Sequence, residues 1–140
     1  MNLSPLIETH CHLDYLKALP LEELRNLYLQ QGVEKVITIG VSPTNLDEVF
    51  KISQQFNEVY FTQGIHPHDA KEATEDDFLK MTSRTQAKKM VAIGEIGLDY
   101  HYNNSPRDIQ IKQFERQLQI ASDHDLPVVI HTREAEEDTM

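Results

Sequence analysis

The stretch 90-MVAIGEIGLDY-100 decides how this chain folds. Met90 to Ile93 is an unbroken apolar run, without the alternation of a strand that keeps one face in water. Such runs are buried on both faces, as in a parallel sheet covered by helices. Glu95 then falls where a buried strand should continue apolar. An unpaired charge there is costly, so the position asks for a cation or several donors. Gly94 and Gly97 leave room beside it. The plainer alternative is a strand that ends in a turn, with Glu95 in water. Asp99 reads either way, since acids are common in loops.

Four more short apolar runs repeat the pattern: 3-LSPLIE-8, 35-KVITIG-40, 59-VYFTQG-64 and 127-PVVIH-131. Helical signals lie between them. Pro20 suits a first helical position ahead of Leu24, Leu27 and Tyr28, and Gly32 suits the stop. Thr44 or Asn45 can cap a helix carrying Leu46, Val49, Phe50 and Phe56. Thr74 with Asp77 resembles a capping box. Ser105 and Pro106 open a helix with Ile111, Phe114, Leu118 and Ala121 on one face. Strand and helix alternate along the whole chain, which predicts an α/β fold: an open doubly wound sheet or a (β/α)8 barrel. The glycine-rich phosphate loops GxGxxG and GxxxxGK[ST], which would favour the open sheet, do not occur.

The 140 residues fit a single domain, 1–140, with a core of its own. A net charge of −10 argues against a module that holds nucleic acid by broad phosphate neutralisation, but not against an enzyme that meets phosphates through metal cations. One cysteine, no apolar run long enough for a bilayer and no visible signal peptide lead to the expectation of a cytoplasmic protein with no membrane and no protein partner.

Metal-type residues gather at the ends of the runs. In 7-IETHCHLD-14, side chains alternate faces, so His10 and His12 converge while Cys11 faces the helices as a small hydrophobe. A His-x-His strand is a compact chelate for a divalent transition metal; equally it is two histidines on an exposed strand face. The run 127-PVVIHTREA-135 delivers His131, with Arg133 on the same face. In 64-GIHPHDA-70, His66 and His68 follow the third run, as substrate contacts, a further metal contact or solvated loop residues. In a parallel barrel the C-terminal strand ends share one rim, where His10, His12, Glu95 and His131 would meet.

With these residues placed, the chain resembles the TatD family of metal-dependent deoxyribonucleases, in the segments 8-ETHCHLD-14, 64-GIHPH-68, 94-GEIGLDY-100 and 127-PVVIHTREAEEDT-139. The resemblance implies a (β/α)8 TIM-barrel type fold, here truncated to about five strands and four helices, against about 250 residues for a typical barrel. It implies two divalent metal ions (Mg, Mn or Zn): His10 and His12 on one, His131 on the other, and Glu95 bridging them as the catalytic residue. His66 and Arg133 would contact substrate phosphate. A later histidine and a late aspartate, further ligands in the family, have no counterpart here. The family usually carries Asp where this chain has Glu8, which by parity points into the barrel beneath the metals, where its longer side chain would bear on the geometry around the ligands.

The function implied is hydrolysis of DNA phosphodiester bonds, with single-stranded DNA or strand ends as partner, incomplete in a chain expected to be an N-terminal portion. The alternatives are a metal-barrel hydrolase of another ester or amide, such as an aminoacyl-tRNA, and an inactive half-barrel fragment.

Overall fold

The computed structural model describes residues 4–140. Leu3, the expected start of the first apolar run, lies outside them. Five strands, β1 (Leu6–Cys11), β2 (Val33–Thr38), β3 (Val59–Gln63), β4 (Met90–Asp99) and β5 (Val128–Arg133), alternate with α1 (Leu21–Gln30), α2 (Leu46–Gln55), α3 (Glu75–Arg84) and α4 (Arg107–Asp123). A single turn, α5 (Glu136–Thr139), follows β5. Every neighbouring pair of strands is parallel, and their spatial order is their chain order. A doubly wound sheet reverses its strand order at a switch point; this sheet does not, so it is a half barrel.

The local signals act as read, with informative exceptions. Thr74 and Asp77 form a reciprocal capping box at the start of α3. Gly32 follows α1 with φ of 82°. Asn45 sits at the N-cap of α2, but its side-chain Oδ1 accepts from the amides of Val41 and Ser42 in the preceding loop. Pro20 precedes the first helical residue instead of occupying it. Ser105 does not cap α4: its hydroxyl donates to the carbonyl of His68 and accepts from the amide of Lys71. It thereby ties the loop bearing His68 to the root of α4.

The main core fills the space between β3–β5 and α2–α4, with Phe61, Ile65, Met81, Ile93, Ile96 and Leu98 almost fully buried. A smaller cluster under α1 and α2 holds Leu13, Val36, Ile52, Phe56 and Val59, with Cys11 against it. Cys11 thus packs toward the helices, and burial, aided by the charges of Glu8 and Asp14, pushes its thiol up to about 12. β1 and β5 pair on one side each. Leu6, Ile7, Val128 and Ile130 on these edge strands remain exposed.

β4 runs to Asp99, four residues past Glu95, where the run 90-MVAIGE-95 is expected to end. Its register against β5 shifts between Ile93 and Ile96, a bulge that re-aims Glu95. The space beside Gly97 is taken by β5: a Cβ there would run into the carbonyl of His131, and φ is +145°. Glycine therefore brings the two ligand-bearing strands into close approach.

Candidate metal centre

Glu95 lies at the centre of the rim. Its Oε2 is 3.4 Å from Nε2 of His10 and its Oε1 is 3.3 Å from Nδ1 of His131. His10, His12 and Glu95 present ligand atoms within 4.8 Å of one another, and so do His66, Glu95 and His131. The four expected ligands, His10 on β1, His12 just beyond it, Glu95 on β4 and His131 on β5, are thus brought together, and one carboxylate is common to both groups.

The donor set suits divalent cation binding. Two ligands of one tetrahedral ion, at metal–nitrogen and metal–oxygen distances of about 2.0–2.2 Å, stand about 3.4 Å apart. Both His–Glu95 separations match that spacing. The Nδ1 of His12 is buried without a hydrogen-bond partner. His12 itself is held by the Tyr15 ring, stacked at 5.0 Å. Glu8 accepts from the backbone amide of His10 at 2.8 Å, so it braces the ligand strand through the main chain.

Around β5 the histidines are ordered by Asp99, which the sequence left ambiguous. Asp99 is 1% exposed. Its Oδ2 accepts from Nε2 of His131 at 2.9 Å and from Nε2 of His68 at 3.0 Å. Its Oδ1 accepts from the amides of His101 and Tyr102. Burial works to raise this carboxyl, but the Tyr102 amide and the two imidazoles outweigh it and bring it down to about 2.

His66 is oriented by the next turn: its Nδ1 accepts from the amide of His68. Burial, reinforced by His131 and His68, pushes its pKa down to about 3, so the ring is neutral near pH 7. A neutral imidazole that accepts at Nδ1 carries its proton on Nε2. By distance alone His66 belongs with Glu95 and His131, yet its outward nitrogen is a donor. The hydrogen-bond chemistry weighs more, since a protonated nitrogen has no lone pair for a metal.

Two further residues escaped the sequence reading. Gln117 accepts from the amide of Ile65 at 2.7 Å and donates to its carbonyl, fixing the residue before His66. Gln110 does the same for the main chain of Asp99. A signal was there: Gln110, Phe114, Gln117 and Ala121 share the inner face of α4, where two amides interrupt an apolar stripe.

A cleft of about 250 Å³ opens over the cluster, lined by His12, Tyr15, Val41, His66, His68, Asp69 and Glu95. Exposed Tyr15 and Tyr102 stand on the rim. The Arg133 guanidinium lies 4.8 Å from the centre of the Tyr102 ring, whose edge contacts His68. A larger groove of about 500 Å³ between α3 and α4 is spanned by the Arg116–Glu75 ion pair and holds none of these histidines. Among the described residues no helix is long and apolar enough to cross a membrane.

Known proteins agree with this architecture. The profile of the family described as TatD related DNase matches residues 7–140. The metal-dependent hydrolase YabD of Bacillus subtilis is 35% identical over 136 residues, which are 96% of this chain and 53% of that protein. The 3'-5' ssDNA/RNA exonuclease TatD of Escherichia coli K12 is 34% identical over 109 residues, 76% of this chain and 41% of the relative. Among solved structures, the TatD homologue YjjV of Escherichia coli K12 superposes with a TM-score of 0.82 at 27% identity, covering 95% of this chain and 52% of its own. The chain spans about half the length of the curated relatives it matches. It belongs to the TatD-related DNase family.

Proposed function

We propose that the rim cluster is one side of the active site of a metal-dependent hydrolase that cleaves phosphodiester bonds of single-stranded DNA. The observation that carries this reading is the shared carboxylate: Glu95 turns one oxygen to His10 and the other to His131. His10 and His12 would hold one divalent cation, His131 the other, and Glu95 both. When bound, such a pair polarises a phosphoryl oxygen and lowers the pKa of an attacking water.

The chain's own groups supply the rest. His66 donates from Nε2 to a non-bridging phosphate oxygen, a neutral donor that does not compete with the cations for position. Arg133 adds positive charge toward the backbone of the bound strand, at the end of β5. Tyr15 and Tyr102 offer exposed rings on which unpaired bases stack, a sequence-tolerant mode worth about 1–3 kcal/mol per base. This suits an acidic protein that grips a strand locally. The E. coli relative's name, a 3'-5' ssDNA/RNA exonuclease, supports the same substrate class.

The test is hydrolysis of a 5'-labelled single-stranded oligonucleotide by the full-length protein, with Mg²⁺ or Mn²⁺ and with chelator, beside aminoacyl ester and amide substrates. Metal-dependent shortening of the oligonucleotide supports the proposal. Turnover confined to esters or amides would replace it with the other hydrolase reading.

A further inference from the structure

We infer that Asp99 is a positioning residue that fixes the tautomers of His131 and His68 together, so that His131 turns an unprotonated Nδ1 toward Glu95. The inference rests on the metal-binding role proposed for His131, and it deepens that role.

With both rings neutral, the geometry leaves one consistent assignment. A carboxylate can only accept, so Nε2 of His131 and Nε2 of His68 both carry protons toward Oδ2 of Asp99. In neutral His131 the lone pair is then on Nδ1, the atom 3.3 Å from Glu95 Oε1. The same acid holds His68, whose backbone amide in turn orients His66. One buried carboxylate thus sets both the ligand on β5 and the loop that carries the phosphate donor. It is itself immobilised, since the amides of His101 and Tyr102 occupy Oδ1 and Gln110 grips its main chain. Partners of this kind hold ligand imidazoles in one orientation and raise their basicity.

Asp99→Asn separates this role from mere packing. The asparagine oxygen can keep the amides of His101 and Tyr102, which turns its NH₂ toward the two imidazoles. Both rings must then accept at Nε2, and the His131 proton moves to Nδ1, facing Glu95. Long-range ¹H–¹⁵N NMR of the metal-free full-length protein at about pH 8, where ordinary imidazoles are neutral, reads the tautomers directly. Nε2–H for His131 and His68 in the wild type, and Nδ1–H in the variant, are expected. A wild-type His131 protonated at Nδ1 would overturn the inference without any variant, as would tautomers unchanged in a folded Asp99→Asn protein.

Mn²⁺ binding is measured on the same samples and on His131→Ala. The tautomer switch is expected to weaken Mn²⁺ at the His131 side by about 10–100-fold. Switched tautomers with unaltered Mn²⁺ binding in both variants would uphold the control exerted by Asp99 and overturn the metal role of His131.

Discussion

Nε2 of His10 lies 3.4 Å from Oε2 of Glu95, although β1 and β4 are separated by two intervening strands. The curvature of the half barrel closes that gap, and the bulge at Gly94–Glu95 aims the carboxylate across it. Replacing the charge alone tests what the contact is for. Glu95→Gln is expected to weaken divalent-cation binding by at least about 100-fold, beyond the usual effect of an outer-shell change, and to reduce hydrolysis of single-stranded DNA at least as much. Calorimetric titration with Mn²⁺ and an oligonucleotide assay measure the two.

Glu8 acts on the same strand through the backbone. Removing its carboxylate frees the His10 amide and lets the end of β1 relax. Glu8→Ala should therefore lower Mn²⁺ affinity by about 10-fold, the lower range for residues that brace a ligand, with the fold intact by circular dichroism. Unchanged affinity would restrict Glu8 to local strand support.

His66 gives the metal-free protein a pH dependence. Its folded pKa is depressed to about 3, while an unfolded histidine titrates near 6.5. Between those values the unfolded chain binds a proton that the folded ring refuses, so stability rises with pH across the window. The contribution is fully present above about pH 6.5 and is lost as pH falls toward 3. Urea unfolding at a series of pH values should show this slope, and His66→Gln should flatten it.

Gln117 links α4 to the site. Gln117→Leu fills similar volume but strands the buried amide and carbonyl of Ile65. A loss of about 1–3 kcal/mol in unfolding free energy is expected. DNA hydrolysis should fall as well, because His66 follows directly.

The strands were legible as short runs rich in Val, Ile and aromatic residues, the composition of parallel strands covered on both faces; β1 and β5 carry it although their own side chains are largely exposed in this structure. The exception was β4, where Gly94, Glu95 and Gly97 look like a turn; close approach to β5 is what demands the glycines. His10, His12, Glu95 and His131 were legible as ligand-type residues at strand ends. Asp99 was not, because its burial comes from the loops of β3 and β4 folding over it, and no local pattern reports that. It does share parity with Glu95, a hint that the strand continued. Gln110 and Gln117 were hidden by a search for apolar periodicity, in which a polar residue on the inner face counts only as an interruption.

The most direct test of the central claim, that Glu95 is shared between two cations, is anomalous diffraction from crystals of the full-length protein soaked in Mn²⁺. Two peaks are predicted, one beside His10 and His12 and one beside His131, each in contact with a Glu95 oxygen. A single peak away from Glu95, or none at this rim, would contradict the account.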